Sequence, residues 1–245
     1  GAMKVFIVHA HPEPRSFNGA LTETARSSLA GAGHEVVVSD LYAMGWQARS
    51  DRSNFTSVAD PAYYKQQVEE ARAAELSAFA ADIRQEQEKL FACDALVLQF
   101  PLWWFSMPAL LKGWVDRVFA VGAVYGGGMW YDRGRFAGKR AMVSVTVGGP
   151  ASMYGPDGLN GDIDMLLYPI QHGMLRFAGF DVLPPFIAWE PARVSLQERR
   201  AYLAAYEERL RTVQTTEPLR FPHLDEYDPV SFRLREAVAA AGSGT

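Results

Sequence analysis

Apolar positions along the chain fall into short unbroken runs separated by stretches of helical spacing. Lys4 to Val8 is β-branched and aromatic and predicts a central strand. "HEVVVSDL" (34–41), "DALVLQF" (94–100), "RAMVSVTV" (140–147) and "FDVLPP" (180–185) predict further strands. Between the first two, Leu21, Ala25 and Leu29 recur at helical spacing over 17–30, and Gly31 and Gly33 end the pattern. Residues 61–91, rich in Ala, Glu and Gln, predict helix with a candidate break near Ser77. Pro108 to Val118 predicts a helix opened by proline in its first turn, whose apolar Leu110, Leu111, Trp114 and Val115 read as core. Ile163 to Phe177 and Ser195 to Val213 predict two more helices, the second with a Ser195/Glu198 capping-box pattern. Residues 42–60, 120–138 and 148–162 carry no period and read as long loops.

Strands alternating with helices predict a parallel sheet covered on both faces. Five such units suggest an α/β, flavodoxin-like, doubly wound five-stranded sheet of order 2-1-3-4-5. Ligands in such sheets bind beyond the carboxyl ends of the strands, at the switch point between the first and third. The loops there are 9–16 and 101–107, with 148–162 alongside. The stretch "QFPLWWFSMPALLKGWVDRV" (99–118) therefore sets Trp103, Trp104 and Phe105 on a loop at the expected ligand edge.

The 245 residues suit one such domain, with no internal repeat or linker. A net charge of −4 gives no basic footprint for nucleic acid. The single cysteine, Cys93, has no internal disulfide partner, which fits a reducing, cytoplasmic setting. Gly1 and Ala2 before Met3 read as a cloning scar, and no signal peptide is visible. The most apolar window, Ala95 to Leu111, contains Gln99, Ser106, Pro101 and Pro108 and reads as strand, loop and helix start, not as an integral membrane segment. Fingerprints for Rossmann dinucleotide binding, P-loops, zinc proteases, thiol redox pairs and serine hydrolases are absent. His9 and His11 have no acidic or cysteine partners clustered with them, so no metal site is assigned.

The loops offer other chemistry. Ser16, Phe17 and Asn18 open the first helix, where free N–H groups and the helix dipole attract phosphate; equally, Ser16 is a good N-cap. Gly148 and Gly149 either let the backbone approach a flat ligand or simply make a turn. Trp104 and Phe105 either stack on an aromatic ligand or pack into the core. Three such loops at one sheet edge favour a flat, phosphorylated cofactor.

"AHPEPRSFN" (10–18), "SDLYAM" (39–44), "QFPLWWFSMPALLKGWVDRVF" (99–119), "GGPASMYGPDGLNGDI" (148–163) and "PIQHGMLRFAGFDVL" (169–183) together resemble the NAD(P)H:quinone oxidoreductase (DT-diaphorase) family, in register from about residue 4 to about 215. The resemblance implies a homodimer that binds FAD rather than FMN. It implies two-electron reduction of quinones by NADH or NADPH, in a ping-pong hydride transfer through flavin N5. Azo or nitro compounds are further acceptors. By the same resemblance, His11, Ser16, Phe17 and Asn18 match the pyrophosphate and adenosine positions. Pro101, Leu102, Trp103, Trp104 and Phe105 match the isoalloxazine loop. Thr146, Val147, Gly148, Gly149 and Tyr154 match the pyrimidine side, and Arg199 the adenine end. Tyr154, Asn160, Gly148 and Gly149 fall at the catalytic positions. Trp104, Phe105, Tyr125, Gly127, Trp130, Met153 and Phe177 fall in the substrate pocket, Tyr125 as an aromatic that reaches into the partner subunit's pocket.

There are departures. Asn160 replaces a family histidine, Gly127 replaces a pocket tyrosine, and Trp130 fills a methionine's place. Lys65 replaces a glutamine, with Gln66 beside it, and the long mammalian C-terminal extension is largely missing. Residues 3–214 read as the flavin-binding domain. Residues 215–245 read as a tail packing on the domain or on a dimer partner, flexible at its end. Related flavoproteins serve as regulatory subunits of potassium-efflux systems, which leaves a flavin-holding binding partner as the alternative.

Overall fold

A computed structural model describes residues 1–236; the part of the tail expected to be flexible lies outside the described residues. In chain order the elements are β1 (Lys4–His9), α1 (Phe17–Gly31), β2 (Glu35–Asp40), α2 (Gln66–Leu76), α3 (Ala81–Ala92), β3 (Ala95–Pro101), α4 (Ala109–Val118), β4 (Arg140–Val147), α5 (Ile163–Ile170), β5 (Asp181–Val182), β6 (Phe186–Trp189) and α6 (Leu196–Arg211). The strands pair in parallel in the order β2-β1-β3-β4-β5, the predicted topology, with β6 also pairing β4. Alternation sorts the strand residues to two cores. Phe6, Val8, Leu96, Leu98 and Val143 meet Ile83, Leu90, Leu111 and Trp114 from α3 and α4. Val5, Ile7, Val97 and Met142 meet Leu21, Ala25, Tyr206 and Leu210 from α1 and α6.

Departures from the sequence reading have local causes. The predicted helix 61–91 starts only at Gln66, because the Asp60 carboxylate accepts the N–H groups of Ala62 and Tyr63 and holds them in a turn. It divides at Ser77, which is left-handed at φ 53°. Pro108 proves to be the N-cap of α4, one residue before the first turn. Pro169 lies inside α5 and cannot donate a backbone hydrogen bond, and the chain then widens into a π-helical turn over Gln171–Arg176. The expected strand 180–185 is cut short before Pro184–Pro185, and pairing with β4 resumes at Phe186–Trp189, a strand the apolar pattern had not revealed. At α6, Ser195 accepts the Glu198 N–H, the first half of the expected capping box.

The long 42–60 connection straps across α4. A Cβ at Gly113 would sit 2.4 Å from the Ala48 carbonyl oxygen, so only glycine permits that approach. Arg117, 2% exposed, binds the strap down. Its guanidinium donates to Asn54 Oδ1 and the Gln47 carbonyl, pairs with Asp82 at 2.7 Å and lies over the Trp46 ring. Beyond α6 the tail also bonds to the domain: the Leu219 N–H donates to the Val182 carbonyl and the Leu224 N–H to Asp132. Cys93 is buried and its thiol is pushed up to about 11 by that burial, so it is chemically quiet. Among the described residues no helix is long and apolar enough to cross a membrane.

Two outcomes follow for stability. Arg117→Leu leaves Asn54 and the Gln47 carbonyl without their donor and should cost about 3 kcal/mol in urea unfolding; a loss below about 1 kcal/mol would show that the strap is held otherwise. His9, at the end of β1, is buried with Nδ1 2.7 Å from Thr22 Oγ1, and desolvation lowers its pKa against the opposing pull of Asp40. The folded state therefore binds a proton less readily than the unfolded one. Stability should hold above about pH 6.5 and fall below it, and His9→Gln should flatten that acid limb in unfolding curves at pH 7.5, 6.5 and 5.5.

Candidate functional site

The carboxyl edge of the sheet gathers three loops and the segment after β6. The Leu102 N–H donates to the Thr146 carbonyl, tying the loop after β3 to β4. The His11 ring, from the loop after β1, lies 6.1 Å from that of Trp103. The Glu190 N–H donates to the Val147 carbonyl and brings the final segment alongside. Between these loops runs a groove of about 580 Å³. Its lining includes His11, Ser16, Phe17, Asn18 and Arg199, the positions matched to the pyrophosphate and adenine end, together with Pro101 and Thr146.

Each has a definable role in the groove. Ser16 is the N-cap of α1, its hydroxyl accepting the Gly19 N–H at 3.1 Å, so the capping alternative holds for its side chain. The first N–H groups of the helix still have no intrahelical acceptor. His11 Nδ1 accepts the Glu13 N–H, which puts the ring proton on Nε2 as a donor. Burial lowers the His11 pKa and favours this neutral form. Asn18 is turned inward: its amide donates to Thr146 Oγ1 and accepts from buried Gln99, both at 2.9 Å. It therefore braces the groove floor. Thr146, having accepted from Asn18, keeps its own hydroxyl proton for a ligand. Arg199 donates through Nη1 to the Pro191 and Val194 carbonyls and thereby shapes the far wall.

At one end of the groove stands the aromatic turn. Trp103 and Ser106 exchange both backbone hydrogen bonds, at 3.0 and 3.1 Å, leaving Trp104 and Phe105 as a two-residue hairpin turn. Both are left-handed, at φ 50° and 62°. That backbone ordinarily calls for Asn-Gly, and bulky residues there cost of order 1–3 kcal/mol each. Trp104 is also 93% exposed and Phe105 42%. Two large aromatics are thus held in water in a strained backbone.

The loop after β4 leaves the neighbouring strand at the same edge. A Cβ at Gly148 would meet nothing within 4 Å, whereas one at Gly149 would press on the Tyr154 ring at 3.3 Å and on Met153 Sδ at 3.4 Å. Gly148 therefore leaves an open face, and Gly149 lets Tyr154 close in from behind. Tyr154 is buried against Trp189, with ring centroids 5.5 Å apart. The Asn160 N–H donates to the Met153 carbonyl at 2.9 Å, which folds position 160 back beside this loop. Val147 points into the core, so only its backbone is available to a ligand. Leu102 likewise packs on the core.

The remaining residues assigned to a substrate pocket form a second group. Tyr125 meets Phe177 edge-on at 5.3 Å, and Trp130 meets Phe177 at 6.2 Å. Gln67 donates to the Tyr125 hydroxyl at 3.1 Å. Tyr125 and Phe177 line a separate hollow of about 450 Å³ with Gln66, Glu70 and Asp116. Gly127, left-handed at φ 63°, lies on the loop between Tyr125 and Trp130. Within one chain the assigned residues thus face two places, the groove edge and this aromatic patch.

Sequence reasoning missed Gln99, which looked like a stray polar residue in a buried strand; the complementary amide of Asn18 was the available signal. It also missed Trp189, Pro191, Ala192, Leu196 and Arg200. Trp189 ends, and the others follow, a strand that the two prolines had hidden.

Comparison with known proteins agrees with this geometry. A family model described as flavodoxin-like fold matches residues 3–211. The chain is 45% identical over 217 residues to ribosyldihydronicotinamide dehydrogenase (quinone) of Pongo abelii, covering 88% of this chain and 94% of that protein. It is 40% identical over 226 residues to NAD(P)H dehydrogenase (quinone) 1 of Rattus norvegicus, covering 92% of this chain and 82% of that one. A solved Klebsiella pneumoniae protein, provisionally assigned as a quinone reductase, superimposes with a TM-score of 0.94 at 45% identity, covering 97% and 96% of the two chains. With its sheet order, its groove and these relatives in agreement, the chain belongs to the NAD(P)H:quinone oxidoreductase family, of flavodoxin-like fold.

Proposed function

We propose that this protein is an NAD(P)H dehydrogenase that reduces quinones, with FAD as its resident flavin. Azo and nitro compounds are further acceptors by the same chemistry. The observation that carries the reading is the exposed, left-handed Trp104–Phe105 turn at the carboxyl edge, after a strand that pairs directly with the one leading into the open backbone of Gly148. A strained, solvated aromatic pair is the form a stacking platform takes before a flat ring covers it. The donor set beside it fits a dinucleotide flavin. The α1 N-terminus, His11 Nε2–H and Thr146 Oγ–H offer donors to phosphate oxygens, and Arg199 and Arg200 add positive charge farther along the groove.

When bound, the flavin supplies the hydride relay between the nicotinamide donor and the quinone, in two half-reactions that share one slot. The chain supplies placement and charge. Trp104 and Phe105 fix the ring plane and exclude water from one face. Gly148 keeps the backbone flat enough for close approach. Tyr154, wedged behind Gly149, donates its hydroxyl where negative charge grows during reduction. Asn160 hydrogen-bonds beside it without titrating near neutral pH. A second copy of the chain completes the pocket in this reading, since Tyr125, Trp130 and Phe177 form an aromatic wall away from their own groove.

The direct test is to denature the purified protein, chromatograph the released flavin, and follow quinone-dependent oxidation of NADH, NADPH and dihydronicotinamide riboside. FAD and acceptor-dependent turnover are expected. Released FMN would correct the cofactor, and a protein with neither flavin nor turnover would overturn the reading. Tyr154→Phe should slow reduction by the nicotinamide donor on the order of tens-fold, roughly 2 kcal/mol, while keeping its flavin; an unchanged single-turnover rate would leave Tyr154 a packing residue. Asn160→His should add an inflection near neutrality to the pH–rate profile, read from kcat between pH 5.5 and 8.5. Replacing Trp104–Phe105 by Asn-Gly should raise the apoprotein's stability by about 1–3 kcal/mol in denaturant melts while weakening FAD binding at least tenfold.

A further inference from the structure

A cavity of about 230 Å³, lined by residues other than those of the groove, lies between α2, α3 and the loop after α4. Its lining combines two kinds of group. Phe79 and Phe91 contribute apolar rings, with Ala73, Ala74 and Ala123 beside them. Arg84 and Arg135 contribute two guanidinium groups. Neither arginine joins an ion pair among the described residues. Arg135 is held over the Phe91 ring at 4.3 Å, and Phe91 is braced from its other neighbour by Phe136 at 5.9 Å. Buried Gln87 is fixed by its hydrogen bond to the Val118 carbonyl. Two forked, exposed cations beside an apolar hollow of this size match one ligand chemistry, a single aromatic ring bearing a carboxylate.

We propose that this cavity is a second small-molecule site, for an aromatic carboxylate. The same cavity touches the segment that carries Tyr125. Gly122 and Ala123 form part of its wall. Gly122, left-handed at φ 83°, packs so close to α2 that a Cβ there would lie 2.9 Å from the Ala74 Cβ. Its N–H donates to the Tyr125 carbonyl at 2.8 Å. A ring seated in the cavity lies next to the loop whose aromatic residue joins Phe177. None of the lining residues lines the flavin groove, so occupancy is separable from cofactor binding.

The test uses benzoate as probe, titrated into the flavin-saturated protein and followed by amide chemical shifts. Saturable shifts at Ser77, Gly122, Ala123 and Tyr125 are expected. Arg84→Gln and Arg135→Gln should each weaken binding about tenfold, and inorganic phosphate should bind far more weakly than benzoate. Shifts confined to the groove around His11 and Arg199, or an affinity unchanged in both arginine variants, would overturn the site. Phosphate binding as tightly as benzoate would overturn the aromatic half of the assignment. Because the readout is binding, it stands whether or not the protein turns over quinones.

Discussion

Everything at this site depends on one constraint of parallel pairing. Parallel strands cannot be joined by a tight turn, so each must be followed by a crossover, and every strand of the sheet delivers its outgoing loop to the same edge. In this chain that edge receives His11 after β1, the aromatic turn after β3 and the Gly148–Gly149 loop after β4. It also receives the Pro191–Arg199 wall after β6. The helices on both faces leave the loops no other place to meet. Residues separated by more than a hundred positions become neighbours without any local sequence signal, as Asn18 and Thr146 do.

The floor and the rim of the groove are built on opposite principles. The floor is hydrogen-bonded: Gln99, Asn18 and Thr146 form a buried chain that fixes which way the threonine hydroxyl faces, with Gln99 Oε1 left unpartnered at its inner end. The rim is neither relaxed nor covered, since Trp104 and Phe105 sit in a backbone conformation they disfavour and in contact with water. A fold that tolerates such a turn must hold it from both sides, and the paired hydrogen bonds of Trp103 and Ser106 do so. Strain at the rim and a hydrogen-bonded floor together make a surface organised before its ligand arrives.

Much of this was legible in the sequence where the signal was local. The strands of the sheet centre are unbroken apolar runs, and their alternation with helical periods gave the topology. The aromatic triplet announced itself because three large rings on a loop between two prolines have no burial to explain them. What stayed hidden was set by contacts distant in sequence or by backbone geometry. Pro184–Pro185 masked β6 and with it the far wall of the groove. Asn18 read as a ligand contact, although its partner Gln99 lies 81 residues away and turns it inward. The left-handed turn at Trp104–Phe105 carries no glycine or asparagine to mark it. The grouping of Trp130 and Phe177 with Tyr125 could not be read from spacing, although the resemblance already implies that Tyr125 reaches into the partner subunit's pocket.

The central claim is that the strained aromatic turn exists to be covered by a flavin. Hydroxyl-radical footprinting of the purified protein, read residue by residue by mass spectrometry with and without FAD, addresses it directly. The account predicts that Trp104, oxidised rapidly in the apoprotein, becomes strongly protected when FAD binds, while the exposed Tyr63 does not change. Equal oxidation of Trp104 in both states would mean that the turn is not the platform, and the functional reading built on it would fall.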